Sequence, residues 1–392
     1  MQRYKSTIAI VALGYWSQAL TNGALRVIVP VYFAATGMSI SKIAFFFFLF
    51  KLAEIFAPLG IGILLNRWGY KRTFIMTLAL HSVISTFYSI PNVTLLYVER
   101  FTRGLLYMAD ISAVYVKQFS VKENQRFLIN MMLGLKEAAK GVGMLVGGLL
   151  IAFLTIGNTL LIFSICTAVS AFIAFRHLPN LQEQVKLPVR KIWGTVDRKI
   201  KILGLGFGLL NGALDAWGVV ILPVFLAQTL GVTPAFVGTV MMAEYIFQGL
   251  IVTLFAKFVN LRWEPRRVLA GAGLLLVPVT FGLVMTTSLY LFLAIVFIYM
   301  FLFSVSMVYY NHLMLDFASE EKTSLDLAAY TTLTNVFKPI GVFVAGLLAE
   351  SMGSSWAYYF AGLLTLLSVI TCLGLPKSRA ERDNVIGVYA TR

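Results

Sequence analysis

The sequence is poor in charged residues and in cysteine. Charged side chains make up 12% of the 392 residues and hydrophobic side chains 59%, whereas a soluble domain carries about a quarter charged residues. This deficit excludes an ordinary soluble protein and predicts a polytopic membrane protein. The two cysteines, Cys166 and Cys372, lie inside apolar runs, which excludes a disulfide framework.

Other absences narrow the classes of function. The three histidines are scattered and the cysteines are far away, so the sequence lacks the spacing of a metal site. It also lacks a nucleotide-binding P-loop, which argues against transport driven directly by ATP. No pairing of a nucleophile with a base is convincing. We therefore expect no enzyme activity, no metal and no cofactor.

Positive charge is in excess, with 32 Lys and Arg residues against 17 Asp and Glu residues. The basic residues lie in short loops between apolar runs and not on one face, so we expect no nucleic-acid partner. Basic loops alternate with loops that carry almost no charge. The positive-inside rule then places both termini in the cytoplasm, and we expect the lipid bilayer to be a bacterial inner membrane.

Twelve stretches are long enough for a spanning helix, which needs about 20 mostly apolar residues. The longest connection, 178–200, is predicted to be a cytoplasmic linker between a first half, 1–177, and a second half, 201–376, with a cytoplasmic tail at 377–392. The predicted spans are 7–33, 41–65, 73–90, 93–117, 127–154, 157–177, 201–228, 234–258, 266–286, 289–317, 325–351 and 354–375.

Short motifs repeat between the halves in the same order. The sequence N-G-A-L occurs at Asn22–Leu25 and again at Asn211–Leu214. A glycine-rich stretch with a lysine, Lys136–Leu150, has a counterpart at Lys338–Leu348, in which Lys338 matches Lys140. Parallel repeats of six helices are the arrangement of the major facilitator fold. The predicted fold class is therefore an all-α membrane protein with two parallel-repeat six-helix halves.

Charged residues inside spans are the main functional signal, because each costs about 2.5–3.5 kcal/mol at the centre of a bilayer. Such residues either pair or face a wet cavity. Gln18, Asn22 and Arg26 form one polar stripe at helical spacing, which lines a cavity or a buried helix contact. Lys136 and Lys140 share a face and need an anionic compensator: Asp110, Asp215, Glu137 or the substrate. The predicted substrate-binding residues are Asn22, Arg26, Lys136, Lys140, Asn211, Trp217, Tyr310 and Lys338.

Three acidic residues and one histidine in spans are candidates for proton coupling, with a structural ion pair as the alternative for each. The coupling candidates are Asp215, Glu244, Asp110 and His312. Asp215 corresponds by repeat to Arg26, and His312 lies one turn from Asp316. Glu99 with Arg103, and Lys51 with Glu54, have the spacing of structural pairs within one helix.

The loop Gly62–Arg72 resembles a signature of the major facilitator superfamily, G-x-L-x-D-R-x-G-r-K-R, with Asn66 in the place of the usual acid. The residues that match or replace signature positions are Gly62, Asn66, Arg67, Gly69, Lys71 and Arg72, and the resemblance implies a gating role for this loop. Arg100–Gly104 and Gly143–Gly148 resemble two further elements of that superfamily.

A narrower resemblance points to the organoarsenical efflux permeases. Tyr15–Arg26 is similar to that group's first helix, although Asn22 stands where the group has an acid. Lys136–Gly143 resembles its K-x-A-x-K-G-V-G element, and Asp215–Leu226 resembles its D-V-W…L-P-V-F-L element. The resemblance implies export of an organic polyanion, an arsenate ester of glycerate phosphate.

Together these patterns predict a monomeric secondary active transporter. It would move a small organic anion that carries phosphate or carboxylate by alternating access, in the export direction and coupled to protons. Lys140 and Lys338 would form two arms of an anion clamp. Three alternatives stay open: a siderophore or polycarboxylate transporter working in either direction, a multidrug exporter, and a membrane sensor that does not transport.

Overall fold

The computed structural model describes residues 2–106, 112, 115, 122–180, 196–258, 264–286, 288–318 and 323–375. Asp110 and the predicted tail 377–392 lie outside these residues, as does most of the predicted linker. Within the described ranges the chain is helical and contains no strand. The sequence prediction of an all-α protein is confirmed.

Twelve α-helices can be labelled along the described chain, together with one 3₁₀ turn, Thr86–Ser89, and one π-helical turn, Phe225–Thr229. The helices are α1 Gln2–Ala35, α2 Ile40–Ser85, α3 Val93–Leu105, α4 Lys122–Leu150, α5 Ile156–His177, α6 Arg198–Gly218, α7 Ile221–Val224, α8 Pro234–Phe258, α9 Pro265–Gly282, α10 Leu289–Phe317, α11 Thr323–Met352 and α12 Ser354–Leu373.

Six stretches of the described chain are helical, long and apolar enough to cross a bilayer. They agree with six of the predicted spans within a few residues and identify an integral membrane protein. The stretches are Ile156–His177, Arg198–Thr229, Pro234–Phe255, Leu289–Met314, Ala329–Met352 and Ser354–Leu373.

Glycine makes the turns at four of the predicted connections. Gly37, Gly69, Gly231 and Gly353 all have φ between 64° and 98°, a left-handed conformation that side chains with a Cβ rarely adopt. Gly69, with φ 74° and ψ 170°, interrupts α2, so that two helices meet there across a kink. This agrees with the prediction of separate spans on either side of residues 66–72, although Gly69 alone leaves helical geometry.

The predicted span 201–228 is not one regular helix. The helix α6 ends at Gly218, α7 covers Ile221–Val224, and the π-helical turn Phe225–Thr229 follows. Pro223 lies within this interruption, and a proline lacks the amide hydrogen that a continuous α-helix uses.

Contacts between helices group the chain into two compact units. The first unit contains residues 1–187 and 223–246, and the second contains 188–222 and 247–392. In the first unit Tyr70, Phe74 and Tyr115 form an aromatic core. In the second unit Trp217 and Tyr299 are fully buried in edge-to-face contact, with ring centroids 5.0 Å apart. The predicted halves and linker remain a prediction.

Candidate functional site

The crossing of α1 and α4 positions the predicted cations of the first unit. Glycines allow the two backbones to touch: a Cβ at Gly23 would overlap the carbonyl of Lys140, and a Cβ at Gly143 would overlap the carbonyl of Leu20. This close approach fixes Lys140 directly beside the polar stripe of α1. The glycine-rich sequence of α4 is thus a packing device that places a charged residue.

A cavity that is partly open to solvent lies beside this crossing, within the first unit. Five cationic side chains and one carboxylate line it, so its wall favours a negatively charged ligand. The lining residues are Tyr15, Gln18, Ala19, Asn22, Arg26, Phe47, Phe50, Lys51, Glu54, Arg100, Lys136 and Lys140.

The two lysines of α4 share one acidic partner. Glu137 Oε1 lies 2.7 Å from Lys136 Nζ, and Glu137 Oε2 lies 2.9 Å from Lys140 Nζ. Glu137 is therefore a compensator of the like charges, and both lysine side chains remain partly exposed, at 13% and 19%. One carboxylate between two ammonium groups leaves the pair cationic.

Arg26 and Lys140 both contact Tyr245 of α8. Arg26 Nη1 donates a hydrogen bond to the Tyr245 hydroxyl. Lys140 Nζ lies 5.5 Å from the centroid of the same ring, within the range of a cation–π interaction. Sequence reasoning missed Tyr245, because an isolated tyrosine in an apolar span resembles any packing aromatic.

A buried network of hydrogen bonds and ion pairs around Arg103 adjoins the cavity wall. Arg103 pairs with Glu99, as the helical spacing predicted, and donates to Ser85 Oγ at 2.7 Å. It also lies 3.0 Å from His81 Nδ1 and 3.5 Å from Asn22 Oδ1. Because Asn22 lines the cavity, this network joins the cavity wall to the interior of the unit.

Arg100 also lines the cavity. The cations predicted from the sequence to bind substrate lie on α1, α4 and α11 and do not include Arg100. Its side chain is 2% exposed, and its guanidinium lies 4.9 Å from the centroid of Phe47 and 3.9 Å from Glu99 Oε2. Arg100 Nε and Nη2 have no hydrogen-bond partner in the part of the chain that the structure describes. Burial of Arg100 is therefore compensated by the ring and by the Glu99 charge.

Glu244, next to Tyr245, is a buried carboxylate, 5% exposed. Arg26 lies near enough to interact electrostatically with this carboxylate. Within the described ranges Glu244 forms no ion pair, and its Oε1 has no hydrogen-bond partner. Lys51 and Glu54, in contrast, form the predicted pair at 3.3 Å.

The remaining predicted residues of the second unit lie in different surroundings. Trp217 and Tyr310 are buried, and the Tyr310 hydroxyl lies 2.7 Å from Cys372 Sγ and 3.0 Å from Ser368 Oγ. Their burial favours a packing role over contact with a substrate. Asn211 donates to the Phe207 carbonyl at 3.0 Å. Asp215 is buried, whereas Lys338 and His312 are half-buried.

The loop signature places charges at the surface. Arg67 and Arg72 are exposed and Lys71 is partly buried around the turn at Gly69. The surroundings of Gly62 and of the Asn66 side chain lie outside what the structure describes, so the gating role of this loop stays a prediction. Asp110, the fourth coupling candidate, also lies outside the described residues.

The family model of the Major Facilitator Superfamily matches the chain twice, over residues 11–214 and over residues 202–388. The chain belongs to the Major Facilitator Superfamily. The double match agrees with the repeat that the sequence predicts, and it makes the chain a membrane protein with the fold of that superfamily's transporters. The resemblance to organoarsenical efflux permeases finds no support in this match, and no curated protein matches the sequence.

Solved structures of this superfamily fold resemble the chain over nearly its whole length. A bacterial homologue of the iron transporter ferroportin, in an inward-facing state, is 13% identical with a TM-score of 0.73, and the alignment covers 94% of this chain and 98% of that one. The human organic anion transporter MFSD10 (TETRAN) is 14% identical with a TM-score of 0.67, covering 94% and 99%.

The xylose transporter XylE of E. coli is 12% identical, with a TM-score of 0.70 and coverage of 96% and 97%. The titles of these structures name an iron transporter, an organic anion transporter and a sugar transporter. At these identities the likeness shows the fold alone.

Proposed function

We propose that this protein is a secondary active transporter of a small organic anion that carries phosphate or carboxylate groups. The observation that carries the proposal is the cavity wall, where Arg26, Lys136 and Lys140 contribute to an excess of positive charge. Phosphate and carboxylate oxygens make strong charge-assisted hydrogen bonds with such groups. The partly exposed lysines and Arg26 are the proposed ligands, with Asn22 beside them.

Proton coupling is the proposed energy source, and Glu244 is the proposed carrier of the proton. A buried carboxylate without an ion pair is costly when charged, so the protonated form suits its surroundings. A bound anion at Arg26 would weaken the attraction between Arg26 and a Glu244 carboxylate. Binding of the anion at Arg26 would therefore favour binding of a proton at Glu244, and protonation of Glu244 would favour binding of the anion. Asp215 and His312 remain alternative coupling residues.

The sequence resemblance supports export and an organic phosphate as the substrate. The proposal also includes Lys338 as the second arm of the anion clamp. It further includes a monomeric protein in a bacterial inner membrane, with both termini in the cytoplasm. A siderophore or another polycarboxylate is the second candidate substrate, because its carboxylates would suit the same cations. A lipophilic cation, the substrate of many multidrug exporters, does not suit this cavity wall.

The test is ligand binding to the purified full-length protein, with 3-phosphoglycerate, citrate, inorganic phosphate and a lipophilic cation as probes. Lys140→Gln would be compared with Lys42→Gln, whose lysine is exposed at the start of α2. We expect the organic anions to bind the wild type and the Lys42 variant, and to bind the Lys140 variant weakly. Equal affinity in all three proteins would contradict the proposal, as would preference for the lipophilic cation.

A further inference from the structure

Tyr245 contacts two of the cations that line the cavity. Its hydroxyl accepts a hydrogen bond from Arg26 Nη1. Its ring centroid lies 5.6 Å from the guanidinium carbon of Arg26 and 5.5 Å from Lys140 Nζ. One phenol therefore offers these cations both a neutral oxygen and an aromatic face, the two kinds of partner that offset positive charge without an anion.

Tyr245 lies on α8 close to the point where the grouping of this helix changes from one unit to the other. Residues 223–246 are grouped with the first unit, and the remainder of α8, from Phe247, is grouped with the second. Tyr245 therefore lies near the end of the part of α8 that belongs with α1 and α4. A Cβ at Gly141 of α4 would be 3.5 Å from the Tyr245 Cβ, an ordinary van der Waals distance, so α4 and α8 are neighbours at this residue.

An anionic ligand would compete with the phenol for Arg26. A carboxylate or phosphate oxygen forms a stronger hydrogen bond with a guanidinium than a neutral hydroxyl does, because both partners are charged. The anion would therefore take over the donor that the hydroxyl occupies. The cost of this exchange is the loss of the hydrogen bond between Arg26 and Tyr245.

We infer that the Tyr245 hydroxyl holds Arg26 at the cavity wall and is displaced when an oxygen of the substrate anion binds, which removes a hydrogen bond that links α8 to α1. The inference rests on the proposed function, because it takes an organic anion as the ligand. Tyr245 is then a positioning residue of the binding site. Its hydroxyl weakens anion binding and at the same time makes the movement of α8 depend on binding.

The first experiment separates binding from transport in the Tyr245→Phe variant, which keeps the ring and removes the hydroxyl. Affinity for 3-phosphoglycerate is measured with the full-length protein in nanodiscs, and transport with proteoliposomes. We expect the Kd to fall about ten-fold, the equivalent of one hydrogen bond to a charged group, while the transport rate falls. Tyr359→Phe is the matched control, since Tyr359 is 41% exposed on α12, and it should change neither quantity.

Two results with Tyr245→Phe would overturn the inference while the proposed function stands. Weaker binding of 3-phosphoglycerate would make the hydroxyl a ligand of the anion. Unchanged binding would mean that the hydroxyl does not compete with the anion. In both cases the wild type still binds the probe, so the failure concerns Tyr245 alone.

A second experiment tests the contact without any ligand. Thermal stability of Arg26→Gln, Tyr245→Phe and the double variant forms a double-mutant cycle in the ligand-free protein, and we expect the effects to be non-additive. Additive effects would overturn the inference. If the wild type bound no probe at all, the proposed function and the displacement step would both fail, whereas the cycle would still report whether Tyr245 holds Arg26.

Discussion

The two units contain the same kind of helix crossing with different side chains around it. In the first unit Gly23 of α1 and Gly143 of α4 let the backbones touch. In the second unit Gly212 of α6 and Gly341 of α11 do the same: a Cβ at Gly341 would overlap the carbonyl of Gly212, and a Cβ at Gly212 would lie 2.8 Å from the carbonyl of Phe337. The repeated N-G-A-L motif and the repeated lysine helix thus encode one packing device that is used twice.

The side chains beside the crossings differ in chemistry. Next to the first crossing, Arg26, Lys136 and Lys140 line an open cavity. Next to the second, Phe207 stacks on Tyr310 at 4.8 Å and on Tyr330 at 6.2 Å, and the tyrosines are buried. The comparison teaches that close backbone contact is common to the two repeats, whereas the residues described beside the first crossing include several cations and those described beside the second include stacked aromatic rings.

The largest expected effect comes from breaking a crossing. Gly23→Val would place side-chain atoms where the Lys140 carbonyl lies, and Gly212→Val would do the same at Phe337. Overpacking of this kind costs about 3 kcal/mol or more when backbone must move. We expect both variants to lose folded protein in size-exclusion profiles and thermal melts.

Gly249→Val is the control for both crossings, because nothing lies within 4 Å of a Cβ there. If Gly23→Val folded as well as this control, the crossing of α1 and α4 would be looser than the structure indicates. Both variants should lose stability, and the loss should be larger at Gly23, where a Cβ would lie 1.9 Å from the Lys140 carbonyl oxygen, than at Gly212, where it would lie 2.8 Å from the Phe337 carbonyl oxygen.

A smaller effect, on binding alone, is expected from the cavity cations. Arg26→Gln removes a charged donor and should weaken binding of 3-phosphoglycerate by about 1.5–3 kcal/mol, the usual contribution of a hydrogen bond to a charged group. Folding should be retained, because glutamine keeps a polar group beside Asn22. Calorimetric titration of the variant against the wild type measures the loss, and an unchanged Kd would remove Arg26 from the site.

Glu244→Gln should change the pH dependence of transport and leave anion binding almost intact. Glutamine is uncharged and cannot carry a proton, so an imposed pH gradient should no longer accelerate transport in proteoliposomes. Counterflow exchange of labelled substrate, which needs no gradient, is the matched readout and should persist. A variant that still responds to the pH gradient would assign coupling to another residue, with Asp215 next to test.

The sequence predicted the repeat, the helices and most of the cations, because apolar length and glycine spacing are local properties of the chain. The positions of Tyr245 and Arg100 beside the cavity could not be predicted from the sequence. Their roles depend on which helices meet, and an apolar span with one tyrosine carries no periodic signal. Trp217 and Tyr310 illustrate the opposite difficulty, since a polar aromatic in a span resembles a ligand whether it lines a cavity or fills a core.

Tyr310→Phe is the smallest predicted change and the sharpest test of the difference between the units. Removing the hydroxyl deletes its contacts with Ser368 and Cys372, which should cost about 1 kcal/mol of stability, as for one neutral hydrogen bond. The ring and its stacking on Phe207 remain, so the Kd for 3-phosphoglycerate should not change. Thermal melts and titrations of the same preparation give both values. A loss of affinity comparable to that of Arg26→Gln would show that the aromatic residues of the second unit bind the anion, because removal of a hydroxyl that only packs in the core leaves binding unchanged.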